Sequence, residues 1–259
     1  MRIDIVTIFP RFFRSFLTHG MVRRARELGR LEVQVTDLRA LTSDRHHAVD
    51  DRPYGGGPGM LLKPEPVCRA LDILGIPEGE EPPEGTALLL PCPRGERLAQ
   101  AHFEEFVELD RLVFLCGRYE GYDERILEAY PWHHVSVGDY VLSGGEVPVM
   151  TMIEGVSRLV PGVLGDFESA RRDSFGEWAG RVAEGETSPA ESSSADDGMV
   201  ADGLDHASWT RPPQYRGRPV PEILKSGDHG KIETWRRERA REATARRRAK
   251  QTERPDRQR

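Results

Sequence analysis

The sequence predicts an α/β protein with a parallel sheet and helices on both of its faces. Short apolar segments rich in β-branched residues alternate with segments of helical periodicity, and the short segments end at proline or glycine. Strands that alternate with helices favour parallel pairing, because the crossover between two parallel strands is usually a helix. With 37% hydrophobic residues in 259, the chain can form a sizeable core, which excludes a wholly disordered polymer.

Five short segments of the sequence predict strands. Residues 2–9 contain Ile3, Ile5, Val6 and Ile8 before Pro10 closes the segment, which is typical of a buried strand. Residues 31–38 alternate apolar and polar side chains more regularly. Three further short apolar segments predict the remaining strands: 86–91, 111–116 and 133–137.

The predicted helices lie between these strands. Their segments are 12–28, 66–74 and 98–109. A later helix is indicated over 147–159, where Val149, Ile153 and Val156 recur at helical spacing and Pro148 is tolerated in the first turn. We expect this helix to be the last one of the first domain.

The N-terminal segment and the cysteines exclude several classes of protein. The first apolar segment carries Arg2 and Asp4, and it is too short for a signal peptide or a membrane anchor. We therefore expect a cytoplasmic protein without a membrane partner. The three cysteines are Cys68, Cys92 and Cys116, and no two of them form a C-x-x-C pair. The spacing supports neither a disulfide framework nor a cysteine zinc site.

Charge is distributed unevenly along the chain. The formal net charge is -6, yet residues 231–259 contain 12 Lys or Arg against 5 Asp or Glu, while residues 1–230 contain 25 against 38. A basic end of this kind can meet phosphate groups. Residues 176–205 lack apolar periodicity and are rich in Glu, Asp, Ser and Gly, which is typical of a solvated linker.

Three glycine-rich loops predict a ligand-binding cleft. They cover 50–60, 115–125 and 137–146, and none of them matches a P-loop or a Rossmann dinucleotide-binding pattern. Any one of them could be only a tight turn. Two of these loops, together with residues 91–98, directly follow predicted strands, and open α/β sheets bind ligands at the carboxyl ends of their strands.

Several segments together resemble the bacterial tRNA (guanine-N1)-methyltransferases, which belong to the knotted SPOUT class. The resemblance covers Arg2 to Phe175 and Gly203 to Arg241, and it is carried by VTIFP, VDDRPYGGGPGM, PCPRGERL, CGRYEGYDERI, VGDYVLSGGE, RLVPGVLG, DSF and SWTRP. It implies a deep C-terminal trefoil knot in the sheet and a small all-helical C-terminal domain. The implied domains are 1–165 for the knot, 166–205 for a flexible acidic linker or lid that carries Asp173, and 206–259 for a basic tRNA-binding domain.

The resemblance also implies a reaction, which is methyl transfer from S-adenosylmethionine to N1 of guanosine 37 of tRNA, immediately 3′ of the anticodon. Apolar residues and glycines suit an adenine slot with main-chain partners. The donor-binding residues implied by the resemblance are Leu90, Pro91, Cys92, Pro93, Gly117, Arg118, Val137, Gly138, Asp139, Tyr140, Val141, Leu142, Gly144 and Gly145.

Three polar residues acquire roles through the same resemblance. Asp173 matches the general base that accepts the N1 proton, and Arg158 matches the cation beside the developing charge on O6. Glu120 matches a carboxylate that is associated with a magnesium requirement. Without the resemblance, Asp173 reads as the N-cap of a turn, Arg158 as a surface partner of Glu154, and Glu120 as a solvated turn residue.

The resemblance implies two partners, which are the anticodon arm of tRNA and a second copy of the chain. In the C-terminal part, Trp209, Tyr215 and Trp235 interleave with arginines, so aromatic rings can stack on bases while guanidinium groups hold phosphates. The homodimer implied would share each active site between the knot of one subunit and the Asp173 segment of the other.

The chain departs from the usual family pattern at residues 176–202, an acidic insert that we expect to be disordered without tRNA and to lengthen a lid. Two other functions stay open on the sequence. One is an RNA-binding protein that retains the scaffold without turnover, and the other is a knotted methyltransferase that acts on a different RNA nucleotide.

Overall fold

A computed structural model of the chain describes residues 1–165, 172–176 and 203–252. The chain divides into two compact units, Met1–Gly165 and Asp166–Arg259. The strands of the first unit are β1 (Arg2–Thr7), β2 (Glu32–Asp37), β3 (Asp50–Asp51), β4 (Leu61–Leu62), β5 (Thr86–Arg97), β6 (Arg111–Leu115) and β7 (Trp132–Ser136). Its helices are α1 (Phe13–Phe16), α2 (Gly20–Glu27), α3 (Pro64–Ile73), α4 (Gln100–Val107), α5 (Glu124–Ala129) and α6 (Glu146–Leu159).

The central sheet contains five parallel strands in the order β2-β1-β6-β5-β7. The prediction of an α/β fold with a parallel sheet is therefore confirmed. In the register of the sheet, Ile3 of β1 lies beside Val33 of β2 and Leu112 of β6. Because every strand runs in the same direction, all of the carboxyl ends lie at one edge.

Helices cover both faces of this sheet, and side chains of β1 alternate between the two. Ile3 and Ile5 pack in a core that includes residues of α1, α2, α4 and α6. Val6 points to the opposite core, which includes residues of α3 and α5. Full burial of one such side chain stabilises the fold by about 1.5–3 kcal/mol. The first strand therefore helps to hold both helical layers in place.

The predicted helix over 12–28 is two helices, α1 and α2. Gly20 has a φ of +62°, in the left-handed region that interrupts a right-handed helix. The hydroxyl of Thr18 donates to the carbonyl of Ser15 at 2.8 Å. In a continuous helix this carbonyl would accept a main-chain N–H, so the side-chain hydrogen bond favours a turn between the two helices.

Strand β5 continues beyond the proline that was expected to end it. Both Pro91 and Glu96 lie opposite Val135 of β7, so the residues between them form a bulge. Proline is accommodated at a bulge because no ladder hydrogen bond is required from it there. A side chain at Gly95 would collide with main-chain atoms of His134 and Val135, which explains the glycine. Within the bulge, Cys92 is partly exposed, and Pro93 and Arg94 are exposed.

The second unit contains helix α7 (His229–Thr252) and a two-stranded antiparallel sheet of β8 (Gln214–Tyr215) and β9 (Arg218–Pro219). The expectation of an all-helical C-terminal domain is wrong in this respect. Arg216 and Gly217 both have positive φ, at 49° and 76°, and two such residues form the turn that joins short antiparallel strands.

Within the described parts of the chain, no helix has the length and apolar character that crossing a membrane requires.

Part of the acidic insert and the end of the tail lie outside the described residues. Positions 177–202 and 253–259 are in this group, as are positions 166–171. The residues that flank the insert lie close together, because the N–H of Phe175 donates to the carbonyl of Gly203 at 2.7 Å. The expectation that the insert is disordered and lengthens a lid remains a prediction.

Candidate functional site

A cavity of about 350 Å³ lies at the carboxyl edge of the sheet. Three chain segments form its wall: the bulge of β5 at 91–94, the loop that follows β6 at 117–122, and the loop that follows β7 at 137–145. Pro148 of α6 also lines the cavity. The structure thus brings together the strand-end loops for which the sequence predicts a ligand.

Most of the residues predicted to bind the donor line this cavity. They are Pro91, Cys92, Pro93, Gly117, Arg118, Val137, Gly138, Tyr140, Val141, Leu142, Gly144 and Gly145. The other two are not in its lining. Leu90 is fully buried in the core against α3 and α5, and a carboxylate oxygen of Asp139 lies 3.4 Å from Arg97 in an exposed ion pair.

The cavity also includes side chains that sequence reasoning missed. Ser143 belongs to the predicted loop at 137–146, whereas Ser136 belongs to the strand predicted over 133–137 and is the last residue of β7. Leu127 and Pro148 come from α5 and α6, so no strand-end signal pointed to them. Tyr122 packs against Gly117, where an added side chain would collide with the phenol ring.

Tyr122 is a partly buried phenol in the wall of the cavity. Its hydroxyl donates to the carbonyl of Leu115 at 3.3 Å. Burial raises the pKa of Tyr122 well above its ordinary value, with smaller contributions from nearby acidic groups. The neutral hydroxyl therefore serves as a hydrogen-bond donor that ties the loop after β6 to the end of that strand.

A buried ion pair fastens the loops to one another. Glu146, the first residue of α6, is fully buried, and its Oε1 accepts a hydrogen bond from the Thr7 hydroxyl at 2.8 Å. Its Oε2 lies 2.7 Å from Nη2 of Arg118. The Arg118 guanidinium lies 4.6 Å from the centroid of the Phe9 ring, and its Nη1 donates to the carbonyl of Ser143 at 3.1 Å. One carboxylate thereby connects the end of β1 with the loops after β6 and β7.

Main-chain contacts between these loops are equally close. The N–H of Gly145 donates to the carbonyl of Gly117 at 2.9 Å. A side chain at Gly145 would place its Cβ 2.9 Å from Cα of Cys116, which is closer than side chains come to backbone. Glycine is required here because the two loops approach each other through their backbones.

Glu120 also lines the cavity, as the candidate residue for a metal ion. Its side chain lies against Gly59, where a Cβ would collide with it. Among residues 1–165, 172–176 and 203–252, no three His, Cys, Asp or Glu side chains cluster as a metal site would require. A single carboxylate does not by itself fit a metal site built from protein ligands.

The two predicted catalytic residues belong to different units. Arg158 is exposed in the last turn of α6. Asp173 is half-buried in the second unit, in a short segment that packs on other parts of that unit. The Oγ of Ser174 accepts a hydrogen bond from the N–H of Asp205 at 3.0 Å, and the Arg247 guanidinium lies 4.5 Å from the centroid of the Phe175 ring.

The second unit presents aromatic and basic side chains beside one another. The rings of Trp209 and Trp235 have centroids 5.4 Å apart. Arg239 lies 5.8 Å from the ring of Trp235, and Arg216 lies 5.2 Å from the ring of Tyr215. Tyr215 is 60% exposed, so its ring is accessible to a partner.

Comparison with known proteins gives consistent results over nearly the whole chain. Residues 1–254 match the family described as tRNA (Guanine-1)-methyltransferase TrmD. A tRNA (guanine-N(1)-)-methyltransferase of Koribacter versatilis is 46% identical over 245 residues, which is 94% of this chain and 89% of the relative. Proteins of the same name from Moorella thermoacetica and Leifsonia xyli subsp. xyli are 43% and 46% identical, over 96% and 93% of this chain and 88% and 94% of their own lengths.

Proposed function

The chain belongs to the tRNA (guanine-N1)-methyltransferase family, and on that premise we propose how its parts carry out the reaction. The protein methylates N1 of a guanosine in tRNA, with S-adenosylmethionine as the methyl donor. The finer proposal is that the target is guanosine 37, immediately 3′ of the anticodon. The observation that carries this function is the cavity at the carboxyl edge of the sheet, which is formed by loops that match the family.

The donor is held by the three loops of the cavity. Pro91 and Leu142 supply apolar surface for the adenine ring, while Gly117 and Gly144 leave main-chain groups accessible for hydrogen bonds. When bound, S-adenosylmethionine supplies an activated methyl group. We propose that the cavity arises from a trefoil knot in this part of the chain, an interpretation supported by the contacts among the ends of β1, β6 and β7.

Asp173 is the general base in this proposal. N1 of guanine carries a proton at neutral pH, and a carboxylate oxygen must accept it as the new bond to carbon forms. General-base catalysis of this kind contributes about 10²–10⁴-fold to the rate. Arg158 stabilises the negative charge that develops on O6, and orientation of the two substrates supplies much of the remaining acceleration.

The active form is a homodimer with shared active sites. Tyr140, Val141, Leu142 and Val147 expose between 42% and 87% of their surface although they are apolar or aromatic. Exposed apolar surface of this kind marks an interface, and a second copy of the chain is the partner that we propose. Each active site would combine the cavity of one subunit with the Asp173 segment of the other.

Residues 206–259 bind the anticodon arm. Residues 166–205 connect this tRNA-binding part to the donor-binding domain at 1–165. The aromatic and arginine pairs of the second unit support this assignment, because they can stack on bases and hold phosphates.

Glu120 would hold Mg²⁺ together with water and substrate oxygens, and no step of the scheme depends on that ion. The cytoplasm, where tRNA is matured, is the proposed location.

One assay tests the proposed function against the two alternative functions. The protein is incubated with labelled S-adenosylmethionine and a tRNA transcript that has guanosine at position 37, and the labelled nucleoside is then identified and located. We expect 1-methylguanosine at position 37 and no label in a transcript with adenosine there. Binding without transfer would favour the RNA-binding protein, and label at another nucleotide would favour the related methyltransferase.

Asp173→Asn tests the base. We expect the single-turnover rate to fall about 10²–10⁴-fold, with the affinity for the donor retained. Glu222→Gln is the matched control, since it neutralises an exposed carboxylate of the same unit that pairs with Lys225. An Asp173→Asn rate within threefold of the wild-type rate would contradict the assignment.

A further inference from the structure

The wall of the donor cavity contains a guanidinium that is largely withdrawn from solvent. The side chain of Arg118 is 16% exposed, and it lines the cavity through the loop that follows β6. Arginine stays charged under all ordinary conditions. A positive charge is therefore fixed beside the space in which the donor is expected to bind.

Glu146 compensates this charge. It is fully buried, it lies outside the residues that line the cavity, and its Oε2 is 2.7 Å from Nη2 of Arg118. The Thr7 hydroxyl donates to the other carboxylate oxygen at 2.8 Å and so orients the group. The pair has no net charge. The carboxylate at the start of α6 therefore neutralises the arginine that the loop after β6 contributes to the cavity wall.

The remaining groups around Arg118 do not replace this compensation. Its guanidinium faces the ring of Phe9 and the carbonyl of Ser143, both of which are neutral. Its Nε has no hydrogen-bond partner among the described residues. The neighbouring Cys116 thiol is fully buried, and burial raises its pKa well above the ordinary value, so that thiol is neutral as well.

The methyl donor and its product differ in charge, so a charge in this wall affects the binding of the two ligands differently. S-Adenosylmethionine carries a positive sulfonium, whereas S-adenosylhomocysteine has a neutral thioether at the same place. An uncompensated guanidinium near the ligand would repel the sulfonium and would affect the thioether much less, because the interaction between two charges is strong where water is excluded.

We infer that Glu146 is a positioning residue that holds and neutralises Arg118, and that it thereby raises the affinity of the cavity for the cationic donor relative to that for the neutral product. The inference rests on the proposed function of the cavity and assigns a role to a residue outside its lining. In the folded enzyme, the pair adds no net charge to the wall beside an incoming sulfonium. The other charged residues of the lining are Arg94 and Glu120, whose charges are opposite.

Calorimetric titration of each variant with S-adenosylmethionine and with S-adenosylhomocysteine tests the inference. The readout is the ratio of the two dissociation constants. For Glu146→Gln, we expect the preference for the donor to fall by about fivefold or more, because an uncompensated positive charge remains. For Arg118→Gln, we expect the preference to rise, because the remaining charge is negative. The double variant should return to within about twofold of the wild-type ratio.

The double variant also addresses folding. Each single variant leaves a buried charge without its partner, which destabilises a protein strongly, whereas the double variant leaves no unpaired charge and should be destabilised less. A loosened cavity would weaken both ligands alike and leave their ratio unchanged. Asp4→Asn is the matched control, because it breaks a buried ion pair among residues outside the lining, and we expect the ratio to be unaffected.

Two outcomes separate failure of the inference from failure of the proposed function. If the wild-type protein binds both ligands and the ratio stays constant across the Glu146 and Arg118 variants, the role of Glu146 is wrong while the cavity remains a donor site. If the wild-type protein binds neither ligand, the donor site itself is wrong and the inference fails with it.

Discussion

Two fully buried carboxylates stabilise the first unit in different ways. Asp4, on β1, has its Oδ2 2.9 Å from Nε of Arg2 and 2.7 Å from Nε of Arg111. Glu146, at the start of α6, contacts the Thr7 hydroxyl and the Arg118 guanidinium. Asp4 is held by two arginines and Glu146 by one, and of these three arginines only Arg118 lines the donor cavity.

The difference lies in what each carboxylate joins. Arg2 and Arg111 are neighbours in the sheet register, so Asp4 reinforces two strands that backbone hydrogen bonds already connect. Thr7 and Glu146 are separated by 139 positions, and their contact joins segments that no strand pairing connects directly. We therefore expect loss of the first carboxylate to reduce stability alone, and loss of the second to reduce both stability and donor selectivity.

The largest effect on stability is expected for Asp4→Asn. Removing one partner from a buried ion pair leaves the other charge uncompensated, which costs about 3–5 kcal/mol. Denaturant unfolding monitored by circular dichroism measures the change. At temperatures where the variant is still folded, its affinity for S-adenosylmethionine should equal that of the wild type. A weakened donor affinity in the folded variant would break the distinction between the two carboxylates.

A smaller effect is expected for Thr7→Val. This change removes a hydrogen bond to a buried charged group and should cost about 1.5–3 kcal/mol. Because Thr7 orients Glu146, the donor affinity should also weaken by a fewfold. Thr7→Ser retains the hydroxyl and is the matched control. If Thr7→Val loses stability but leaves donor binding equal to that of Thr7→Ser, the hydroxyl does not act through Glu146.

The smallest effect concerns the dependence of stability on pH at Cys116. Burial raises the pKa of this thiol in the folded protein, whereas an unfolded cysteine ionises near pH 8.5. Above that pH the folded state binds more protons than the unfolded state, so the free energy of unfolding decreases as the pH rises, by at most about 1.4 kcal/mol per pH unit.

Cys116→Ala removes this contribution. Chemical denaturation at a series of pH values from 7 to 10 should give a shallower decline for the variant than for the wild type, whatever constant difference the lost sulfur causes. Parallel curves would show that the thiol ionises as readily in the folded protein as in the unfolded one.

The sheet could be predicted well from sequence because its signals are local. Ile3, Ile5 and Val6 mark a buried strand by composition alone, and the alternation of strands with helices indicated parallel pairing. The loops that follow β6 and β7 were predicted to lie at one edge of the sheet, because parallel strands have their carboxyl ends at the same edge. Their convergence on a cavity follows from the common direction of the strands.

The contacts that complete the site are not local, and the sequence could not predict them. Nothing near Glu146 in the chain indicates Thr7 or Arg118 as its partner. The bulge between Pro91 and Glu96 depends on the register with β7, so the prolines suggested an earlier end to the strand. The roles proposed for Asp173 and Arg158 came from the family resemblance, since their own sequence neighbourhoods permit a turn and a surface pair.

The most direct test of the account is a crystal structure of the protein with S-adenosylmethionine bound. We predict that density for the ligand lies in the cavity between the β5 bulge at 91–94, the loop at 117–122 and the loop at 137–145, with the Glu146–Arg118 pair intact behind it. Density for the donor at any other site, with this cavity empty, would contradict the account.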